Sequence, residues 1–109
     1  MFEINPYKKK EQRETGKQGV ERAFVKACTV EGWKAFKFTS ENNRGVSDRL
    51  VLTPGQVWFV ELKRTSGKLT PLQIVFRDLI LHFGLNHFVV YGKSDIKKFK
   101  EKVYVKKSN

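Results

Sequence analysis

The chain has 109 residues, 39% hydrophobic and 30% charged, a composition that fits one globular domain. No apolar run approaches the length needed to cross a membrane, the single Cys28 excludes an internal disulfide, and the first residues lack the sections of a signal peptide. A cytosolic protein is therefore expected, and 22 Lys and Arg against 11 acids, a net charge of +11, favour a polyanionic partner, most simply nucleic acid.

In chain order, residues 1–16 form a charged N-terminal segment. From about Lys17 to Glu31, Val20, Ala23, Phe24, Ala27 and Val30 recur at three- and four-residue spacing, which predicts a helix closed by Gly32. Glu21 lies off the centre of that stripe. Cys28 reads as a small core residue, since no nucleophile motif surrounds it. Trp33 to Phe38 reads as an aromatic strand, and residues 39–45 as a polar loop that ends in Arg44 and Gly45.

Two strands follow, Asp48 to Leu52 and Val57 to Lys63, around Thr53-Pro54-Gly55-Gln56. If the tip is Pro54-Gly55, then Leu52 faces Val57, Leu50 faces Phe59, and Asp48 falls opposite Glu61. Lys63, two residues on, projects from the same face. A register slip of one residue would separate the acids, and Pro-Gly is not the tip that tight hairpins favour. Two opposed carboxylates repel, and a hard divalent cation between their oxygens would turn repulsion into coordination. Arg44 and Arg49 flank this stretch, and Arg64 and Lys68 follow it in a loop; all four are candidate phosphate contacts.

The next helix has clear punctuation: Thr70 as N-cap, Pro71 at the first helical position and Gln73 completing a capping box. Leu72, Phe76, Leu79, Ile80 and Phe83 supply its expected buried stripe, and Gly84 ends it. A strand at His87 to Tyr91 precedes a basic C-terminal helix, with Ile96, Phe99 and Val103 on one side and seven Lys in residues 93–109. His82 and His87 have no metal-ligand spacing and read as structural. The order helix, strand, strand, strand, helix, strand, helix predicts an α/β domain spanning 1–109, whose mixed sheet joins a hairpin to a strand–helix–strand unit with helices packed on it.

The pattern of an acid on one strand and E-x-K on the next resembles the PD-(D/E)xK nuclease superfamily. With G-V-S-D at Gly45 to Asp48, V-E-L-K-R at Val60 to Arg64 and G-K-L-T-P-L-Q at Gly67 to Gln73, the chain resembles the VRR-NUC (virus-type replication-repair nuclease) family from about Gly19 to Tyr91. Ser47 stands where that family usually has proline before the aspartate. The resemblance implies a restriction-endonuclease-like core and a free-standing DNA nuclease using Mg²⁺ or Mn²⁺. It further implies Asp48 and Glu61 as metal ligands, Lys63 as the catalytic lysine, Glu21 as an acid from the first helix able to join the metal, and Gln73 as the glutamine of the later helix. A homodimer acting on branched DNA in the manner of Holliday-junction resolvases, a role in DNA repair, and a phage source working in the host cytoplasm are the resemblance's further implications. The rival readings are a non-catalytic basic nucleic-acid-binding protein, which leaves the two opposed acids unexplained, and a nuclease without structural selectivity.

Overall fold

The computed structural model describes residues 16–38 and 45–108. The segment 1–15, the loop 39–44 with its Arg44, and residue 109 lie outside the described residues. The elements follow the expected order: α1 (Lys17–Val30), β1 (Lys34–Lys37), β2 (Arg49–Thr53), β3 (Gln56–Lys63), α2 (Pro71–His82), β4 (Asn86–Tyr91) and α3 (Ser94–Ser108).

The four strands form one sheet in the order β1-β2-β3-β4. The first three are antiparallel neighbours, and β3 and β4 run parallel, joined across α2. The β2–β3 turn has Pro54-Gly55 at its tip, with Thr53 paired to Gln56 and Gly55 at φ +72°, a conformation that glycine adopts without steric cost. The pairing Arg49 with Val60, Leu50 with Phe59 and Leu52 with Val57 is the register predicted from that tip.

Strand alternation divides the sheet into two unlike faces. Val51, Trp58, Val60 and Leu62 face α1 and α3, and with Val20, Phe24, Cys28, Trp33, Val90, Ile96, Phe99 and Val103 they form the buried core. Phe99 is its centre, with ring centroids 5.2 Å from Phe24, 5.4 Å from Trp58 and 5.5 Å from Phe88. The opposite face has a thinner cover, in which Phe59 packs between Phe38 at 5.7 Å and Phe76 of α2 at 5.9 Å.

Two expected stripes need correction. In α1 the buried line is Val20, Phe24 and Cys28, spaced four residues apart, and Val30 is 75% exposed. A constant spacing of four lags the 3.6-residue turn, so the line drifts round the helix and leaves Val30 outside. In α2 only Ile80 is buried, while Leu72, Leu79 and Phe83 are exposed. The helix leans on the sheet through Phe76 and Ile80 and turns the rest of its apolar surface outward. No described helix is long and apolar enough to cross a membrane.

Candidate active site

Asp48 is the residue immediately before β2, and the β2–β3 register continued by one step sets it opposite Glu61. Its backbone carbonyl accepts the Phe38 N–H at 2.9 Å, and its Oδ2 accepts the Leu62 N–H at 2.8 Å, so the backbone is tied to the end of β1 and the carboxylate to β3. Ser47 before it is buried, and its Oγ lies 3.2 Å from His87 Nε2 on β4. Serine therefore has a tertiary anchor at the point where a proline would have stiffened the chain locally. Burial, followed by the Arg77 charge, depresses the His87 pKa to about 4, so the imidazole stays neutral near pH 7.

Glu61 is almost wholly buried, with 1% of its surface exposed. Its Oε2 accepts Gln73 Nε2 at 3.0 Å and lies 3.7 Å from Lys63 Nζ. Burial, and then the Asp48 carboxylate beside it, raise the Glu61 pKa to about 8. Burial pushes the Asp48 carboxyl up as well. The Leu62 N–H and the Lys17 ammonium outweigh that and hold it below its ordinary value.

Gln73 serves two functions. Its Oε1 accepts the Thr70 N–H at 2.8 Å while Thr70 Oγ1 accepts the Gln73 N–H, closing the capping box of α2. Its amide nitrogen donates to Glu61. The two motifs also meet through backbone. A Cβ at Gly45 would collide with the Leu72 carbonyl oxygen, so glycine there lets the approach to Asp48 lie against the first turn of α2.

The structure thus brings Asp48, Glu61, Lys63 and Gln73 together. It does not bring Glu21 to them. Arg49 Nε holds Glu21 Oε2 at 2.9 Å, and Lys37 Nζ lies 3.6 Å away. Arg49 also donates to the Ala35 carbonyl at 3.1 Å. Next to Asp48 on a strand, Arg49 must point to the opposite face, and there it ties α1 to the sheet instead of meeting a phosphate. Arg64 and Lys68 are exposed in the loop between β3 and α2. Arg44 lies outside the described residues.

Lys17 meets Asp48, a contact that sequence reasoning did not anticipate. Its Nζ lies 2.9 Å from Asp48 Oδ1, across 31 residues of chain. One signal was present, since Lys17 is one helical turn before Glu21 on the same face of α1.

An acid pair on one sheet face with E-x-K on the inner strand is the arrangement of the nucleases resembled above, and the comparisons with known proteins decide the family. No family model matches the chain. A curated protein, "Putative nuclease p44" of Acyrthosiphon pisum secondary endosymbiont phage 1, is 40% identical over 72 residues, which are 65% of this chain and 75% of that protein. A solved structure described as a VRR_NUC domain superposes with a TM-score of 0.73 at 29% identity, covering 78% of this chain and 94% of that one. The chain belongs to the VRR-NUC family.

As a VRR-NUC nuclease domain, its acid pair can be tested for a metal. Asp48 and Glu61 present oxygens to one another on one face, and the Asp48 carboxylate raises the cost of charging Glu61, which suits a hard divalent cation with oxygen ligands. Among the described residues no three His, Cys, Asp or Glu side chains converge, and Asp48 and Glu61 are the carboxylates there that would hold a metal. Cys28 takes no part. It is buried in the core, and burial pushes its thiol up to about 12.

Proposed function

We propose that this VRR-NUC domain is a DNA endonuclease that depends on Mg²⁺ or Mn²⁺, cuts branched DNA in preference to linear duplex, and works as a homodimer. The observation that carries the chemistry is the Asp48–Glu61 pair, its glutamate buried, with Lys63 beside it. A phosphate-binding protein without catalysis gains nothing from two acids in its anion site, whereas a metal-assisted hydrolase needs them.

Asp48 and Glu61 would hold the metal, which when bound supplies a Lewis acid and a more acidic water. Lys63, whose side chain is 14% exposed and whose ammonium lies beside Glu61, faces the same space. From there it can orient the attacking water, take its proton, or neutralise charge on the phosphoryl oxygens. Gln73 fixes the Glu61 carboxylate from behind. Arg64 and Lys68 offer phosphate contacts at the mouth, with the net charge of +11 drawing DNA in. Glu21 would join the metal only by leaving Arg49.

Two copies related by a two-fold axis would present two sites to the paired strands of a junction, and such pairs are the commonest oligomers. Support for a second copy comes from α2. From Leu69 to Gly92 the only charged side chains are Arg77 and Asp78, and these pair with each other at 3.0 Å. Leu72, Val75, Leu79 and Phe83 form an exposed apolar stripe there, with Val75 63% and Phe83 68% exposed. Two copies of a +11 chain repel everywhere except at a neutral face, so this stripe suits self-association better than it suits DNA. The phage relative agrees with a phage-encoded protein acting in a host cytoplasm.

The test compares a four-way junction, a flap and a linear duplex at one salt concentration. Cleavage in Mg²⁺ or Mn²⁺, its loss in EDTA, and faster cutting of the junction are expected. Equal rates on all three would leave a non-selective nuclease, and cleavage persisting in EDTA would defeat the metal dependence.

A further inference from the structure

Both carboxylate oxygens of Asp48 are engaged. Oδ2 accepts the Leu62 N–H at 2.8 Å, a backbone bond that holds the aspartate to β3. Oδ1 takes the Lys17 ammonium at 2.9 Å. Oδ1 is the oxygen not committed to the β3 anchor, so a divalent cation that binds Asp48 there competes with the Lys17 ammonium. The ammonium stands within electrostatic reach of Glu61 and Glu21 as well, so it is the cation around which the acids of this region gather.

Lys17 is also free to leave. It is the first residue of α1, its side chain is 45% exposed, and among the described residues Asp48 supplies its hydrogen bond. A lysine head is a compact charge on a flexible four-carbon stem, and its departure disturbs little packing. By contrast, Arg49 is fixed by both Glu21 and the Ala35 carbonyl, and Lys63 is largely buried beside Glu61. Of the two lysines paired with the Asp48–Glu61 acids, Lys17 is 45% exposed and Lys63 14%.

We propose that Lys17 is an exchangeable counter-ion: in the metal-free protein its ammonium occupies the metal's place on Asp48, and on metal binding it moves off to a phosphate of the bound DNA. This rests on the metal reading given above. In the metal-free protein the lysine is the counter-ion of the Asp48 carboxylate, and it holds that place until a metal arrives. An ammonium and a divalent ion on one oxygen repel strongly, so the two alternate. The displaced ammonium is left at the positive N-terminal end of α1, a 14-residue helix, where the next available anion is substrate phosphate.

The experiment titrates Mn²⁺ into the full chain by isothermal calorimetry without DNA, for wild type, Lys17→Met and Lys34→Met. Lys34 pairs with Leu52 at the far end of β2 and controls for the loss of one positive charge. Lys17→Met should bind Mn²⁺ about three- to fivefold more tightly, the range for a partly exposed ion pair that no longer competes. It should also unfold at lower temperature in EDTA and bind DNA more weakly in Ca²⁺, measured by fluorescence anisotropy. Lys34→Met should match wild type in metal affinity. Should Lys17→Met not fold, Lys17→Gln serves the same comparison. Unchanged or weaker Mn²⁺ binding by a folded Lys17 variant, with wild type binding normally, overturns the exchange alone. Failure of every protein to bind Mn²⁺ overturns the metal reading and the exchange with it.

Discussion

Glu61 is buried beside Asp48 and, without a metal, keeps its proton up to a pH of about 8, whereas an ordinary glutamate loses it near 4.5. Between those values the folded state binds more protons than the unfolded state, so stability must fall as pH rises. His87 acts in the opposite sense lower down. Its folded pKa of about 4 lies below the ordinary 6.5, so its contribution is lost as pH falls through that range. The window from 6.5 to 8 therefore isolates Glu61. In EDTA the melting temperature should decline across it, and Glu61→Gln should flatten the decline; an equally steep slope in that variant would show that another group titrates there.

For cleavage, Asp48→Asn and Lys63→Ala should each reduce the rate by roughly 10²–10³-fold, the order for removing one group that stabilises transition-state charge. Calorimetry separates them, since Asp48→Asn should lose Mn²⁺ affinity while Lys63→Ala keeps it. The acid pair was legible in the sequence once the tip was placed at Pro54-Gly55, since two-residue alternation then sets Asp48 opposite Glu61. The same alternation already required Arg49 to point away from Asp48, which the list of phosphate contacts overlooked. Lys17 was not legible in this way. Its partner is 31 residues distant, and only the packing of α1 against the sheet edge brings them together.

At the scale of elements, α2 transmits the fold to the site. Its capping box was readable from Thr70-Pro71-Leu72-Gln73, but that the amide left over from the cap reaches Glu61 is a consequence of where the helix docks. Two substitutions divide these functions. Gln73→Ala removes both and should cost about 1 kcal/mol of stability through the cap. Gln73→Glu keeps a side-chain acceptor for Thr70 and sets a third carboxylate against Glu61, so stability should change less in metal-free buffer at low pH while cleavage falls further. Chemical denaturation and single-turnover rates on the two variants report this. Parallel losses in both would reduce Gln73 to a cap. Periodicity also announced an apolar stripe on α2 without saying what covers it. A helix writes the same pattern whether its neighbour is a sheet or another chain, and here only Phe76 and Ile80 engage the sheet side.

At the scale of the whole molecule, charge is unevenly distributed along the chain. Residues 93–109 hold seven lysines, whereas the stretch from Leu69 to Gly92 is neutral and carries the exposed leucines, Val75 and Phe83. An isolated helix face of this kind contributes to a stable pair only when each partner buries about 800 Å², which α2 alone, about 18 Å long, supplies in part. Leu85 beside Phe83 extends the same surface. The expected dimer is therefore centred on α2 and sensitive to a charge at that centre. Leu79→Lys should shift the protein to monomer in analytical ultracentrifugation without lowering its melting temperature by more than a few degrees, because Leu79 is exposed and contributes little to the monomer's core. Its affinity for linear duplex should keep the same salt dependence, about −0.9 in log–log slope for each phosphate contacted by one protomer. What it should lose is preference for the four-way junction, since two sites then address the DNA independently. A Leu79→Lys protein that stays dimeric would move the interface elsewhere, and a monomer that still favours the junction would place structural selectivity within a single domain.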